Sequence, residues 1–245
     1  MCIRDRLKSF YFSLMGINHL FFDLDRTLWD FETNSHEELV NLYHVHKLHQ
    51  RGISLQNEFI KVYKKINHQC WEDYRKNLIT KEKLRSERFM KTLLHFGIDD
   101  KKLADELGND YVHNSPNRTI LIDGTIDLLE ALKDHFHMHI ITNGFEEVQW
   151  VKLRNSKLLP YFKEVITSEA VGVKKPDPRI FQFALEKAGA TVVESVMIGD
   201  DLNTDISGAI GVNMKSIFFN PNKFNHSRLI WKEVSTLSEI KNILL

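Results

Sequence analysis

Two carboxylates stand one residue apart at the end of an apolar run near the start of the chain. Residues 19–22 read His-Leu-Phe-Phe, and Asp23, Asp25 and Thr27 follow at alternate positions. A short apolar run bounded by polar residues is typical of a buried strand in a parallel sheet, where ligands bind at the carboxyl ends of the strands. Two carboxylates on the same side of such a strand need a cation or a shared proton to relieve their repulsion. Mg²⁺ prefers hard oxygen ligands, so the pattern predicts a magnesium site, although a strand that ends in a polar turn would look the same.

Further reactive side chains follow predicted strands downstream. In chain order they are Thr142, Asn143, Lys175, Asp200, Asp201 and Asp205. Hydroxyl, amide and ammonium groups suit an oxyanion, whereas carboxylates suit a divalent metal. Phosphoryl transfer requires this combination, because charge spreads over the phosphoryl oxygens while a nucleophile is held in line.

The elements that must position these residues fall into two groups. From residue 31 to about 116, apolar residues recur at helical spacing and predict four helices, a small bundle with short loops. We expect side-chain caps at the starts of these helices, namely Ser35 with Glu38, Ser54, Thr80 and Asp99.

From residue 119, helical patterns alternate with extended segments at residues 137–142, 164–168, 195–198 and 215–219. This alternation predicts βαβ units and a parallel sheet whose carboxyl edge gathers all the reactive groups. The predicted fold is therefore α/β, with a Rossmann-like core of residues 16–30 and 117–245. An all-helical domain of residues 31–116 is inserted directly after the first strand.

Composition limits the classes of partner. Among the 245 residues, 33 Lys and Arg balance 33 Asp and Glu, which argues against a surface for nucleic acid polymers or anionic membranes. No apolar segment approaches the roughly 18 residues that span a bilayer. Two cysteines provide neither a disulfide framework nor a metal-binding spacing, which suits a cytoplasmic location. We expect a small phosphorylated substrate, leave the oligomeric state open, and interpret residues 1–15 as a leader outside the fold.

Taken in order, these groups resemble the four signature motifs of the haloacid dehalogenase superfamily of phosphohydrolases. The motifs are Asp23-Leu24-Asp25-Arg26-Thr27, the segment at Thr142, Lys175-Pro176, and Gly199-Asp200 with Asp205. The inserted helices resemble the superfamily's type 1 cap.

The resemblance implies a role for each matched residue. Asp23 would be the nucleophile that forms an aspartyl-phosphate, and Asp25 would be the general acid and base. The phosphoryl group would be held by Thr142, Asn143 and Lys175, with Lys174 as the competing lysine. Mg²⁺ would be held by Asp23, the backbone carbonyl of Asp25 and Asp200, with Asp205 or Asp201 in support.

One position departs from the superfamily pattern. Arg26 stands where the superfamily usually has glycine. If the backbone there has a positive φ, an arginine costs stability. A solvated turn residue is the other interpretation.

Within the superfamily, residues 23–32 and 172–181 look most like pyrimidine 5'-nucleotidases that act on non-canonical nucleotides. Phosphatases of small phosphosugars, phosphoglycolate or acylneuraminate phosphate are alternatives, since fold does not fix substrate. A 2-haloacid dehalogenase would not need the acid at Asp25 or the hydroxyl at Thr27.

Substrate discrimination is expected to come from the helical domain and its junction with the first strand. The candidates are Trp29, Trp71, Arg85 and Arg88, which lie at that junction or flank the polar loop at residues 76–80. The plainer interpretation is packing for the tryptophan at the junction and a solvated helix face for the two arginines.

Overall fold

The computed structural model describes residues 16–245, so the predicted leader lies outside the described residues. The described chain divides into two compact units. One contains residues 16–30 together with Ile120–Leu245, and we call it the sheet unit. The other, Phe31–Thr119, is the helical unit. No helix within residues 16–245 combines the length and the apolar character needed to cross a membrane.

The helical unit contains four α-helices, as the apolar spacing predicts. They are α1 (Phe31–Val45), α2 (Gln56–Arg75), α3 (Lys81–His95) and α4 (Lys101–Asn114). Their inward faces form one core of aliphatic and aromatic side chains, in which Tyr63, Phe89 and Tyr111 pack against one another.

The predicted cap at Ser35 and Glu38 is wrong. Helix α1 already begins at Phe31, and both residues are buried inside it. The Ser35 hydroxyl accepts a hydrogen bond from Tyr111 (2.7 Å), and Glu38 forms an ion pair with Arg118 (3.0 Å). Tyr111 and Arg118 therefore bind the two side chains that the local sequence pattern assigned to a helix cap.

The other predicted caps have mixed outcomes. The Thr80 cap is confirmed, since its hydroxyl accepts from the backbone N–H of Lys83 at 3.3 Å. Asp100, not Asp99, caps α4 by accepting from the backbone N–H of Leu103 at 2.9 Å. Helix α2 has no side-chain cap, because Leu55 rather than Ser54 occupies the position before it.

The sheet unit contains six parallel strands within the described residues. They are β1 (His19–Phe22), β2 (His137–Thr142), β3 (Glu164–Thr167), β4 (Ser195–Gly199), β5 (Lys215–Phe219) and β6 (Lys232–Val234). The order across the sheet is β3-β2-β1-β4-β5-β6. This topology confirms the predicted α/β fold with a Rossmann-like sheet. The sequence patterns did not predict β6.

Register brings three strand ends to one edge. Phe22 of β1 pairs with Ile140 of β2 and with Ile198 of β4. The ladder continues one residue further, because the backbone N–H of Asp23 donates to the Ile198 carbonyl at 2.9 Å. The residue that follows β1 therefore lies beside the ends of both neighbouring strands.

Helices precede, connect or follow the strands. They are α5 (Thr125–Leu132), α6 (Glu146–Asn155), α7 (Ser168–Val171), α8 (Pro178–Ala188), α9 (Ser207–Gly211) and α10 (Leu237–Leu244). Apolar residues of the central strands and of α8 form a continuous core, which includes Phe21, Ile141 and Phe181. This packing fixes the backbone from which the polar side chains project.

Candidate active site

A buried lysine joins two carboxylates at the carboxyl edge of the sheet. The Lys175 ammonium lies 2.5 Å from an oxygen of Asp23 and 2.7 Å from an oxygen of Asp205. The ammonium also donates a hydrogen bond to the Ile141 carbonyl at 2.6 Å. Burial lowers the pKa of Lys175, but the carboxylates of Asp205 and Asp23 outweigh burial and raise this pKa above its usual range. The lysine is therefore a fixed positive charge beside Asp23.

Three carboxylates converge at the same place. Asp23, Asp200 and Asp205 each direct an oxygen to a common point, and these oxygens lie within 4.8 Å of one another. Burial raises the pKa of Asp23 to about 7, and the Asp205 and Asp25 carboxylates add to this, while Lys175 opposes it. Burial and the carboxylates of Asp23 and Asp205 also raise the pKa of Asp200 well above its usual range.

This donor set fits a divalent cation. Hard carboxylate oxygens are the ligands that Mg²⁺ takes, and a cation among them removes the repulsion that raises their pKa values. Thr27 helps to fix the position of the Asp200 carboxylate, because its hydroxyl donates to Asp200 at 3.3 Å.

Asp201 and Asp205, which the sequence left as alternatives, differ in position. Asp201 accepts from the backbone N–H groups of Asn203 (2.7 Å) and Thr204 (3.2 Å) and so caps the turn after β4. Asp205 instead contacts Lys175 and accepts from the Asp201 N–H at 3.1 Å. Gly199 makes room for it, since a Cβ there would lie 2.3 Å from an Asp205 carboxylate oxygen.

The hydroxyl of Thr142 lies at the end of β2 with both acceptor positions used. Its oxygen accepts from the backbone N–H of Gly144 (3.0 Å) and from the side chain of Gln149 (2.9 Å). A hydroxyl with two accepted bonds still has one proton to donate. Thr142 is thus arranged to donate to an anionic oxygen.

Asn143 contacts the backbone of Lys175. Its carboxamide donates to the Lys175 carbonyl (3.0 Å) and accepts from the Lys175 N–H (2.8 Å). These two bonds hold the loop that carries the buried lysine, and the carboxamide nitrogen keeps a second N–H, so the predicted phosphate contact of Asn143 stays a prediction. Lys175, rather than Lys174, reaches Asp23.

Asp25 is held by two residues that sequence reasoning missed. Gln149 donates to one of its oxygens at 2.7 Å, and the Lys152 ammonium lies 2.5 Å from the other. Both residues are on α6, three positions apart and on one face, and both are buried. Burial by itself raises the pKa of Asp25, but Lys152 and Gln149 outweigh it and the net pKa is lowered.

Arg26 has the strained backbone that the missing glycine suggested. Its φ is 69°, in the left-handed region, and its side chain is exposed. Both sequence interpretations therefore hold, since the residue is strained and also lies in a solvated turn.

The four candidate specificity residues differ in burial. Trp29 is 1% exposed, and the Lys152 ammonium lies 4.2 Å from its ring centroid, which favours packing over recognition. Arg88 is also buried, donates to Asn67 at 3.0 Å and lies over the Tyr111 ring, so the solvated face predicted for it is wrong.

Trp71 and Arg85 are half-buried in the helical unit. Trp71 makes an edge contact with Tyr74 within α2, at 5.6 Å between ring centroids. The polar loop between α2 and α3 is present as predicted, at residues 76–80.

A parallel α/β sheet with a lysine-linked cluster of carboxylates at its carboxyl edge defines a class of hydrolase. The family model for haloacid dehalogenase-like hydrolases matches residues 17–213 of the chain. The hydrolase YfnB of Bacillus subtilis is 30% identical over 229 residues, which cover 92% of this chain and 94% of YfnB. The chain therefore belongs to the haloacid dehalogenase-like hydrolases, which confirms the predicted family.

Two further comparisons give a relative of named activity and a similar crystal structure. The pyrimidine 5'-nucleotidase PynA of Streptococcus pneumoniae is 30% identical over 217 residues, 87% of this chain and 89% of PynA. The crystal structure of Bacillus subtilis YfnB bound to magnesium superposes with a TM-score of 0.84 at 28% identity, covering 93% of this chain and 98% of that one. This chain is therefore an enzyme of a family in which a magnesium-bound structure is known.

Proposed function

We propose that the protein is a Mg²⁺-dependent phosphomonoesterase that hydrolyses nucleoside 5'-monophosphates, pyrimidine nucleotides preferred. The observation that carries this proposal is the Asp23 carboxylate, which lies within 4.8 Å of the Asp200 and Asp205 oxygens and 2.5 Å from the Lys175 ammonium. A nucleophilic oxygen between a cation site and a fixed ammonium is the arrangement that phosphoryl transfer needs.

In the first half of the reaction, an oxygen of Asp23 attacks phosphorus and the bond from phosphorus to the leaving oxygen breaks. Asp25 enters this half in its protonated form and gives that proton to the leaving oxygen, so the nucleoside leaves with a free hydroxyl and Asp25 becomes a carboxylate. In the second half, water attacks phosphorus while Asp25 takes its proton. The bond between Asp23 and phosphorus then breaks, which releases inorganic phosphate and restores both carboxyl groups.

The transferring group carries negative charge that the site must balance. Lys175 supplies a fixed positive charge, and the remaining proton of Thr142 is available for a phosphoryl oxygen. Asp23 and Asp200 would hold Mg²⁺, together with the Asp25 carbonyl, and Asp205 would support them through Lys175. A bound magnesium ion supplies charge neutralisation for the phosphoryl oxygens.

The nucleotide preference rests on the relatives. PynA and the Escherichia coli protein YjjG, which is 29% identical over 229 residues, are both pyrimidine 5'-nucleotidases. A glyceraldehyde 3-phosphate phosphatase of Methanothermobacter thermautotrophicus is 31% identical over 206 residues, so a small phosphosugar is the second candidate.

The test is phosphate release, first from p-nitrophenyl phosphate with Mg²⁺ or EDTA and then from a substrate panel. We expect activity that EDTA abolishes, and faster turnover of dUMP, UMP and dTMP than of glyceraldehyde 3-phosphate or N-acylneuraminate 9-phosphate. A sugar phosphate above every nucleotide would refute the nucleotide preference. Chloride release from 2-chloropropionate without phosphatase activity would refute the phosphatase proposal.

Within the helical unit, we propose that Trp71, Arg85 and the loop at residues 76–80 discriminate between leaving groups. An aromatic face and a guanidinium suit a pyrimidine base. Trp71→Ala should lower dUMP turnover far more than p-nitrophenyl phosphate turnover. Equal losses on both substrates would show that Trp71 serves folding instead. Trp29 and Arg88 have the burial and the contacts of packing residues.

A further inference from the structure

Helix α6 carries two buried polar side chains that converge on one carboxylate. Gln149 is 0% exposed and Lys152 is 4% exposed, and each contacts a different oxygen of Asp25. We propose that these two are positioning residues, which fix the orientation of the Asp25 carboxylate for proton transfer. This inference rests on the proposed phosphatase function.

Lys152 has little freedom to move. Its ammonium lies 2.5 Å from the Asp25 oxygen and 4.2 Å from the centroid of the Trp29 ring, which favours a cation on that face. A buried ammonium that loses its counter-ion is costly, so the pair holds together. Asp25 is thus tied to a charge whose own position is fixed by packing.

Gln149 links Asp25 to the phosphate-binding hydroxyl. One carboxamide nitrogen donates to Asp25 at 2.7 Å and to Thr142 at 2.9 Å. The second of these bonds fills an acceptor position on Thr142, so the remaining hydroxyl proton is directed elsewhere. Gln149 therefore couples the orientation of the proton-transfer group to that of the phosphate donor.

Gly144 provides the space that Gln149 occupies. A Cβ at Gly144 would lie 1.7 Å from the Gln149 carboxamide nitrogen and 2.5 Å from its carboxamide carbon. An alanine there would push the carboxamide away from both of its acceptors. The glycine thus gives a second way to disturb the same contacts without removing either polar residue.

Orientation matters because Asp25 serves two partners in turn, the leaving oxygen and then the attacking water. A misplacement of about 1 Å in such a group can cost about 100-fold in rate. We therefore expect Lys152→Met to lower kcat for p-nitrophenyl phosphate by about 10- to 100-fold. Since Lys152 contacts Asp25 and not Thr142, KM should stay within about twofold.

The decisive experiment is a double-mutant cycle with Asp25→Asn. If Lys152 acts through Asp25, Lys152→Met should have almost no further effect once the carboxylate is gone. A structural role would instead reduce kcat by the same factor in both backgrounds. Arg154→Met, which removes an exposed charge from the same helix, is the matched control and should leave kcat unchanged.

Gln149→Leu and Gly144→Ala each disturb both contacts of Gln149, the one with Asp25 and the one with Thr142. Both should lower kcat and also raise KM, because the Thr142 hydroxyl loses its orientation. Should Lys152→Met fail to fold by circular dichroism, Lys152→Gln, which also removes the charge beside Asp25, carries the same cycle. Wild-type kcat in these variants, or additive losses in the cycle, would overturn the inference while wild-type phosphatase activity still supports the proposed function. A wild-type enzyme without phosphatase activity would overturn both.

Discussion

Lys175 is the residue whose removal tests the electrostatics of the site most directly. It lies within 2.7 Å of two carboxylates and one carbonyl, and its side chain is 1% exposed. Lys175→Met keeps much of the length of the side chain and removes only the charge. Asp23, Asp200 and Asp205 then face one another with no fixed positive charge among them.

The expected cost follows from the burial of the pair. Removing one partner of a buried ion pair typically costs 3–5 kcal/mol. Protonation already comes easily to these carboxyl groups, because burial raises the pKa of Asp23 to about 7, so we expect the low end, about 3 kcal/mol. For a chain of this size, that corresponds to a fall in Tm of about 6–12 °C.

The measurement is Tm by circular dichroism, with EDTA and with Mg²⁺. Mg²⁺ at 100 times its Kd stabilises a folded protein by about 2.7 kcal/mol, and it should recover much of the loss in Lys175→Met. Lys174→Met is the control, since it removes the adjacent, half-exposed charge. A Tm of Lys175→Met within about 2 °C of the wild type in EDTA would contradict the reasoning. It would show that Lys175 does not stabilise the fold by offsetting the repulsion among the three carboxylates.

Further predictions concern single residues. Asp23→Asn should leave no phosphoenzyme in rapid-quench experiments, whereas Asp25→Asn should keep phosphoenzyme formation from p-nitrophenyl phosphate but lose about 10²–10⁴-fold in turnover. Arg26→Gly should stabilise the protein by about 0.5 kcal/mol in urea unfolding by relieving the positive φ, and Arg26→Ala should not. Burial and the neighbouring histidines, His19 above all, lower the pKa of His139 from 6.5 to about 4. The neutral imidazole therefore contributes fully to the free energy of unfolding above pH 6.5, and this contribution is lost as the pH falls towards 4. Allowing for screening by water, the free energy of unfolding in urea should fall by about 1–2 kcal/mol between pH 6.5 and pH 4. His139→Gln should remove most of this pH dependence.

The strands that carry the site were predictable because each is an apolar run with polar residues at its end. β2 and β5 have the predicted bounds, and β4 differs by one residue. β6 has only Lys232, Glu233 and Val234, of which the first two are exposed, so no apolar run marks it. Helix α10 did have a signal, since Thr236 and Glu239 form a capping box before apolar residues at helical spacing.

Helix caps were less predictable because a cap competes with partners that are distant in sequence. Ser35 and Glu38 have the local form of a capping box, yet Tyr111 and Arg118 bind them from 76 and 80 residues away. Local pattern gives only a preference, and tertiary contacts within the helical unit override it.

The two residues that contact Asp25 lie in a helix that buries polar and apolar side chains together. In α6, Gln149 and Lys152 are buried along with Leu153, whereas the apolar residues Val148, Trp150 and Val151 are half-exposed. Hydrophobic periodicity assumes that apolar side chains face the interior, so it places the two polar residues on the solvated face. Burying a lysine and an amide costs free energy that an apolar face would not. A sequence tends to break its local rules at functional sites, and this helix does so beside the carboxylate that we propose to move the proton.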